Sequence, residues 1–302
     1  MAKMKVAKVA VIGAGPAGMA AAIQLKRYGI SPLLFEKSQI GGLLLNANRV
    51  DNYPGFPRGV SGPELVSLFR KQLKEMSIDV TMAKVEELDF KKNKFRLSSK
   101  GREYSSKMVL LASGTAAVIP EELSALPEWN RKVFSEIWSL RGKQNKKIAI
   151  IGAGDAAFDY ALSLAQKNEV IILNRSANRK CSPGLWLEAL KSSGISYLDH
   201  IRISRFGFTK RGQVVIDYRQ QLRDSALEVD FLVAACGRKT QLDCLSKNLS
   251  RLRVQLEQRG LLYFAGDVAN GSFRQVGIAV GDGIRAAMKI MRKLAEAEFE
   301  NH

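Results

Sequence analysis

Two copies of one glycine-rich pattern limit what this chain can fold into. Each copy has an apolar, β-branched segment, closely spaced glycines, a stretch of helix formers and a second apolar segment. The glycines are Gly13-x-Gly15-x-x-Gly18 in the first copy and Gly152-x-Gly154, followed by Ala157, in the second. Strand, tight turn, helix and strand in this order form a βαβ unit. The repeat therefore predicts an α/β fold with two Rossmann-like three-layer domains.

The first copy predicts a strand over residues 6–12 and a helix from Met19 to Tyr28, with the glycines between them. This arrangement predicts a dinucleotide site. Gly13 permits the tight turn, Gly15 lets the backbone approach a pyrophosphate, and Gly18 lets helix and strand pack closely. The N–H groups at the start of the following helix attract phosphates. Glu36 ends the second apolar segment, where a carboxylate accepts hydrogen bonds from an adenosine ribose. We predict FAD, or alternatively NAD, at this site.

The second copy differs at the position that matches Glu36, because Arg175 stands there. A carboxylate repels a ribose 2′-phosphate, whereas an arginine attracts it. Arg179 and Lys180 follow closely, and the neighbours of Arg175 are small and polar. We predict an NADPH site, with NADH as the alternative cofactor. The competing interpretation is a solvated turn on a basic protein.

The remaining segments predict how the two domains are connected. Apolar residues at helical spacing predict a helix over 62–76, and polar turns divide residues 80–111 into several short strands. Residues 261–294 hold an apolar strand and then a long helix after Arg274. We predict that the second domain is inserted in the first, with residues 1–115 and 245–302 in the FAD-binding domain and 116–244 in the NAD(P)H-binding domain.

Charge and composition restrict the partners. Lys and Arg total 47 against 29 Asp and Glu, a net charge of +18, which favours acidic partners. No nucleic-acid-binding motif and no apolar run of membrane-spanning length occurs, so we predict neither nucleic acid nor a membrane span. The lysines and apolar residues at the start are similar to a signal peptide, but they complete the first βαβ unit. We therefore predict a cytoplasmic protein.

The cysteines and histidines are few. The three cysteines, Cys181, Cys236 and Cys244, form no C-x-x-C pair, which fits a reducing compartment. Cys236 follows an apolar run and is predicted in the core, while the basic cluster before Cys181 is predicted to lower its pKa. With two histidines in the chain, we predict no multi-histidine metal site.

Five segments resemble the thioredoxin reductase family of two-domain flavoproteins. They are VAVIGAGPAGMAAA, GGLLLNANRVDNYPGFPRGVSGPELV, LLASG at 110–114, IAIIGAGDAAFDYAL and FAGDVANGSFRQVGIAVGDG, in the family's order. The resemblance implies an FAD domain split around an NADPH domain, and usually a homodimer. Some features are also similar to thioredoxin-reductase-like ferredoxin–NADP reductases.

The resemblance adds residues to both sites. The complete predicted FAD set is Gly13, Gly15, Pro16, Ala17, Gly18, Glu36, Lys37, Gly42, Leu43, Asn52, Val85, Gly114, Gly266, Asp267, Arg274, Gln275 and Val276. The predicted nicotinamide-dinucleotide set is Gly152, Gly154, Asp155, Ala156, Asn174, Arg175, Ser176, Arg179 and Lys180. No side chain is predicted to be catalytic, because the flavin carries the chemistry.

One departure from the family decides the predicted acceptor. The family's redox-active C-x-x-C lies just before the second glycine motif, and residues 131–143 contain no cysteine here. We predict an FAD-dependent NAD(P)H oxidoreductase with a non-thioredoxin acceptor, and the basic charge favours acidic ferredoxin or flavodoxin. The alternatives are a disulfide oxidoreductase that uses a partner's cysteines or a pair other than C-x-x-C, and a non-enzymatic FAD-binding sensor.

Overall fold

A computed structural model describes residues 6–126 and 131–299. Within this part, the chain forms two compact units. The first holds the residues up to Leu45, Asp51–Ala116 and the residues from Thr240 onward; the second holds Asn46–Val50 and Ala117–Lys239.

The elements of the first unit follow chain order around the second. Its strands are β1 (Val6–Ile12), β2 (Leu33–Glu36), β3 (Val80–Met82), β4 (Glu87–Lys91), β5 (Lys94–Ser99) and β6 (Arg102–Leu111), and late in the chain β17 (Leu262–Phe264). Its helices are α1 (Pro16–Arg27), α2 (Gly62–Glu75), α6 (Lys247–Gln258) and α7 (Val276–Phe299). Short 3-10 helices cover Gly42–Asn46 and Gly266–Val268.

The second unit has the remaining elements. Its strands are β8 (Val133–Phe134), β9 (Lys147–Ile151), β10 (Glu169–Leu173), β11 (Ile195–Leu198), β12 (Ile201–Phe208), β13 (Val214–Gln220), β14 (Arg223–Val229) and β15 (Phe231–Ala234). Its helices are α3 (Glu121–Ser124), α4 (Asp155–Leu164) and α5 (Pro183–Lys191). Strands β7 (Thr115–Ala117) and β16 (Arg238–Thr240) pair with each other at the two boundaries between the units.

The first unit is built on a seven-stranded sheet, in which six strands follow the order β3-β2-β1-β6-β5-β4 and the seventh, β17, pairs with β6. Strands β1, β2 and β3 run parallel, and β1 also lies parallel to β6. The long strand β6 pairs with antiparallel β5 over its first half and with parallel β17 over its second half. Helix α1 is buried between this sheet and α7, through alanines such as Ala21 on α1 and Ala287 on α7.

The second unit is built on a five-stranded parallel sheet in the order β11-β10-β9-β15-β8. Buried Ile150 and Val233 are central to the cluster on which Phe158 of α4 packs. Strands β12, β13 and β14 form a separate antiparallel sheet in the same unit. Both units therefore have the predicted α/β class of fold.

Most element predictions are confirmed, and the differences have local causes. Strand β1 has the predicted bounds, and α2 ends one residue before the predicted Met76. Helix α1 begins at Pro16, earlier than the predicted Met19, because proline fits the first helical position without losing a hydrogen bond.

The observed units differ from the predicted domain boundaries in three places, one of which is Ala116, which groups with the first unit. Residues 240–244 group with the first unit, since the N–H of Gln241 donates to the Gly114 carbonyl at 3.1 Å and the Cys244 carbonyl accepts from Leu88 at 2.6 Å. Residues 46–50 group with the second unit.

None of the helices in the described part of the chain combines the length and the apolar composition that a membrane span needs.

Candidate functional site

The first glycine turn is shaped by backbone approach. Gly13 has φ +105°, and a Cβ placed on it would lie 2.3 Å from the carbonyl oxygen of Ala112. A Cβ on Gly18 would lie 1.8 Å from the Gly13 oxygen. Both positions therefore require glycine for packing alone. A Cβ on Gly15 would meet nothing within 4 Å, so this side of the turn is open, as a dinucleotide pyrophosphate requires.

Glu36 lies at the end of β2, directly beside this turn. One carboxylate oxygen accepts the N–H of Ala14 at 2.9 Å, and the other accepts the N–H of Ser38 at 2.9 Å. The side chain is buried. Each oxygen keeps further acceptor capacity, so a fixed carboxylate is presented where a ribose hydroxyl would donate.

A cavity of about 160 Å³ opens next to Glu36 in the first unit. Its lining includes four predicted residues, Gly13, Glu36, Lys37 and Val85. It also includes Gln241, which the sequence did not single out. Gln241 accepts from Lys37 Nζ at 2.8 Å and donates to the Thr115 carbonyl at 3.1 Å. Its partners lie far away in the sequence, so no local pattern could have indicated it.

The segment with Gly42 and Leu43 lies against the glycine turn. The N–H of Gly41 donates to the Ala14 carbonyl at 2.8 Å, and a Cβ on Gly42 would lie 3.6 Å from Gly15 Cα. The fold therefore brings these two predicted segments together at the open side of the turn.

Predicted residues late in the chain also meet the first unit's site. The side chain of Asn52 donates to Gln275 Oε1 at 2.9 Å, and α7 begins at the next residue, Val276. Buried Nε of Arg274 has no hydrogen-bond partner. Gly266, with φ +76°, packs so closely that a Cβ would lie 2.9 Å from Ala17 Cβ. Gly114, also at positive φ, faces open space.

The second glycine turn repeats the geometry of the first. Gly152 has φ +128°, and a Cβ on it would lie 2.3 Å from the Ala235 oxygen, while Gly154 faces open space. Helix α4 begins at Asp155, followed by Ala156. The Lys180 N–H donates to the Ala153 carbonyl at 2.7 Å, which folds the following basic loop back onto the turn.

The basic loop presents its cations outward. Arg175, Arg179 and Lys180 are exposed, as is Ser176. The Arg179 guanidinium lies 4.5 Å from the ring centroid of Trp186. This arrangement leaves several positive groups near a glycine turn, as recognition of a 2′-phosphate requires.

Other polar groups shape that loop from inside. Asn174 is buried, and its amide donates to the Tyr197 hydroxyl at 2.8 Å and to the Asn178 carbonyl at 3.2 Å. Asp155 accepts the N–H of Ser182 at 2.7 Å. The side chains of Asn174 and Asp155 therefore hold the loop in place.

Two expectations about cysteines are wrong. Cys236 is exposed rather than in the core, because β15 already ends at Ala234. Burial raises the pKa of Cys181, and this outweighs the opposing effect of Arg179. Burial also raises the pKa of Cys244 to about 11. All three cysteines are free thiols.

A polar cluster in the second unit holds residues 46–50. Asp159 of α4 accepts the Asn48 N–H at 2.9 Å, and the Arg141 guanidinium donates to the Asn46 and Ala47 carbonyls at 3.1 and 2.7 Å. Burial raises the pKa of Asp159 to about 6, although the Asn48 and Arg49 N–H groups and Arg141 oppose the shift.

Two open glycine turns, each between a parallel strand and a helix, are typical of the dinucleotide-binding class of proteins. The pyridine nucleotide-disulphide oxidoreductase family matches residues 7–283, and the chain belongs to this family. It is a thioredoxin-reductase-like, FAD-dependent pyridine nucleotide oxidoreductase, and thioredoxin-reductase-like homologues use FAD and NADPH. The resemblance stated from the sequence is thus confirmed.

Individual relatives are similar over nearly the whole chain. The thioredoxin reductase of Mycolicibacterium smegmatis is 28% identical, covering 96% of this chain and 97% of that protein. The bifunctional thioredoxin reductase/thioredoxin of Mycobacterium leprae is 29% identical over 96% of this chain, which spans only 66% of that relative's length.

Solved structures share the fold. The thioredoxin reductase of Lactococcus lactis superimposes with a TM-score of 0.83 at 22% identity, covering 96% of this chain and 99% of that one. The thioredoxin reductase of T. acidophilum gives a TM-score of 0.82 at 24% identity with the same coverage. The α/β fold predicted from the glycine repeat is thereby confirmed.

Proposed function

We propose that this enzyme holds FAD at the first glycine turn and NADPH at the second, and reduces its acceptor without an internal dithiol. The observation that carries the proposal is the lack of cysteine at residues 131–143, where the family it resembles has its redox pair. A dithiol relay needs a thiolate that attacks and a second thiol that resolves.

The contacts of this stretch support the proposal. Asn46 Oδ1 accepts the N–H groups of Ile137 and Trp138 at 2.9 and 3.0 Å, and Ile137 is fully buried. Glu136 pairs with Arg238 at 3.5 Å. The stretch is therefore fixed by backbone hydrogen bonds, an ion pair and apolar packing, and it offers no redox-active side chain of the thiol type.

The remaining cysteines give no substitute. The thiolate is the reactive form of cysteine, and partial burial raises the pKa of Cys181 and of Cys244 above the ordinary value. This shift disfavours the thiolate of both residues. Cys244 belongs to the first unit and the other two to the second.

The first unit supplies the FAD groups. Bound FAD supplies the acceptor of a hydride from NADPH and passes electrons on singly or in pairs. The first-turn N–H groups of α1 lack intrahelical acceptors and suit the pyrophosphate, while Glu36 suits the adenosine ribose. The start of α7 at Val276 stabilises nearby negative charge through the helix dipole.

The second unit supplies the NADPH groups. The predicted match of Arg175 to Glu36 is wrong by one residue, because the N–H groups of Gly13 and Gly152 donate to the Phe35 and Leu173 carbonyls, which places Asn174 at the position of Glu36. The exposed Arg175 follows this uncharged residue, beyond the end of β10. Together with Arg179 and Lys180 it favours a 2′-phosphate over a free hydroxyl. NADPH is therefore the proposed reductant, and NADH is the weaker one.

The proposed acceptor is an acidic electron-transfer protein of the ferredoxin or flavodoxin type. The net charge of +18 supports this choice, because opposite charge steers such partners to the enzyme. Thioredoxin is the competing acceptor, since the similar relatives are named thioredoxin reductases.

We also propose a cytoplasmic homodimer, in line with the family resemblance and the sparse free cysteines.

Anaerobic titration of the purified holoenzyme tests the proposal. We expect NADPH to bleach the flavin, and reduction to stop at the two electrons that FAD accepts. Uptake beyond that would reveal a further redox centre and contradict the proposal. The reduced enzyme is then mixed with ferredoxin, flavodoxin or thioredoxin; reoxidation by thioredoxin alone would show that the proposed acceptor is wrong. A flavin that NADPH leaves oxidised would favour the sensor alternative.

A further inference from the structure

Asp282 is a buried carboxylate that the sequence pattern did not indicate. It lies in α7, immediately before Gly283, and only 8% of it is exposed. Its Oδ2 accepts the N–H of Gly266 at 3.2 Å and also a side-chain N–H of Asn270. Its Oδ1 accepts from the exposed Arg285 guanidinium at 2.5 Å. One carboxylate therefore joins α7 to the turn that follows β17.

Gly266 is held at both of its backbone polar groups. Asn270 donates to the Gly266 carbonyl at 2.9 Å, while Asp282 accepts the Gly266 N–H. The φ of +76° puts Gly266 in the left-handed region, which glycine adopts without a steric penalty. The Ala269 N–H also donates to the Gly266 carbonyl, at 2.8 Å. Asp282 and Asn270 therefore supply side-chain hydrogen bonds that orient this turn and Asp267, which follows it.

The same part of α7 touches the first glycine turn. A Cβ on Gly283 would lie 2.1 Å from the carbonyl oxygen of Ala17, so the α7 backbone packs directly on the first turn of α1. Gly266 also approaches Ala17, since a Cβ on Gly266 would lie 2.9 Å from Ala17 Cβ. Asp282 thus stands behind two segments of the proposed FAD site.

We propose that Asp282 is a positioning residue that fixes the Gly266–Asp267 turn for FAD, with Arg285 as its counter-ion. The inference rests on the proposed FAD site and names a residue that acts behind it. Both oxygens of Asp282 face donors, so an amide at this position must turn its NH₂ group toward one of them. A carboxylate accepts hydrogen bonds from Gly266, Asn270 and Arg285 together. The NH₂ group of an amide would face at least one of these donors and leave it without an acceptor.

The test compares holoenzyme variants by the rate at which FAD dissociates and by the visible circular dichroism and reduction potential of the bound flavin. We expect Asp282→Asn to release FAD about tenfold faster, the change that one unpaired buried donor produces. We also expect its dichroism and potential to shift, because the turn beside the flavin is reoriented. Asn270→Ala, a loop substitution, removes the second contact of the turn and should act in the same direction.

Two further variants separate positioning from general stability. Adding Arg285→Gln to Asp282→Asn gives the new amide NH₂ an acceptor, so FAD release should return to within about threefold of wild type. Asp89→Asn is the matched control. Asp89 is equally buried in the first unit, but it bonds Ser246 and Asn248 and not the turn. It should lower thermal stability and leave the flavin signals unchanged.

The possible results are distinct. If wild type binds FAD, and Asp282→Asn and Asn270→Ala release it at the wild-type rate with unchanged dichroism, the positioning role is wrong. If Asp89→Asn changes the flavin signals as much as Asp282→Asn does, the effect is general destabilisation, and the role is again wrong. A wild-type protein that takes up no FAD overturns the proposed function itself.

Discussion

Glu36 is the side chain on which the first turn's choice of ligand depends. Its carboxylate holds the Ala14 and Ser38 N–H groups, so Glu36→Arg removes two acceptors and adds a cation that cannot accept from ribose. We expect this variant to purify without FAD, as measured by flavin absorbance after incubation with excess cofactor. Glu103→Arg, at an exposed strand position outside the cavity lining, is the control and should stay yellow. A fully yellow Glu36→Arg protein would contradict the assignment.

Arg175 should set the preference between the two nicotinamide cofactors. Charge reversal in Arg175→Glu places a carboxylate near the proposed 2′-phosphate, so NADPH should bind about 10–100-fold more weakly, while NADH binding changes little. Affinities for both cofactors, measured by fluorescence titration, check this. Arg211→Glu changes the net charge equally at another exposed position of the second unit and should affect both cofactors alike. Equal weakening of both cofactors by Arg175→Glu would remove the 2′-phosphate argument.

The sequence indicated the site residues that belong to a local pattern, and it did not indicate those whose partners lie far away in the chain. The glycines, Glu36 and Arg175 belong to local patterns whose spacing has a known physical meaning. Gln241 is joined to Lys37 across 204 positions of sequence. Asp282 lies within a helix whose apolar pattern gives no reason to expect a carboxylate bonded to Gly266. Such pairings arise only when distant segments pack together, and no composition or period indicates them.

At the scale of elements, the packing of α7 on α1 sets a sharp steric limit. Gly283→Ala would place a Cβ 2.1 Å from the Ala17 carbonyl oxygen, and that backbone can move only if the helices separate. We expect a loss of about 1–3 kcal/mol in the free energy of unfolding, with weaker FAD retention. Gly281→Ala, two residues earlier in the same helix, meets no atom within 4 Å. It should be neutral or stabilise by up to about 1 kcal/mol.

Urea unfolding of the two alanine variants beside wild type measures the difference. Because both substitutions add the same methyl group to the same helix, helix propensity cancels in the comparison and the Ala17 contact remains. Equal stability of the two variants would mean that α7 does not pack on α1 as closely as the structure shows.

Elements with a regular pattern were predictable from the sequence, and irregular connections were not. The apolar run of β1 and the helical spacing of α2 gave bounds within one residue of those observed. The five residues 46–50 carry no such pattern. Their place in the second unit rests on contacts with residues far away in the sequence: Asp159 and Arg141 bind the backbone of this segment, and the Asn46 side chain accepts the N–H groups of Ile137 and Trp138.

At the scale of the whole molecule, the repeat of a βαβ unit was enough to predict two units of α/β type, because each copy must bury both faces of a parallel sheet. The net charge of +18 predicts which partners the protein attracts, and it does not predict the fold. The division of residues 46–50 and 240–244 between the units had to come from the structure, since it depends on hydrogen bonds between segments far apart in sequence.

The raised pKa of Asp159 makes the stability of the protein depend on pH. Its folded value is about 6 against 3.8 for the free group, so the folded chain holds a proton that the unfolded chain has released between these values. The stabilising contribution is complete below the unfolded pKa and is lost as pH rises through about 6. The side chain of Asp159→Asn does not titrate, so residue 159 makes no pH-dependent contribution to the free energy of unfolding of this variant.

We therefore expect the stability of wild type relative to Asp159→Asn to increase as the pH falls from about 8 to about 5, with a slope of at most about 1.4 kcal/mol per pH unit. Urea unfolding of both proteins across this range measures it. The fixed cost of losing a hydrogen bond in the variant cancels, because only the slope is compared. Glu228→Gln, at an exposed position on β14, should follow wild type. Parallel curves for wild type and Asp159→Asn would show that desolvation of this carboxylate is balanced by Arg141 and the Asn48 N–H.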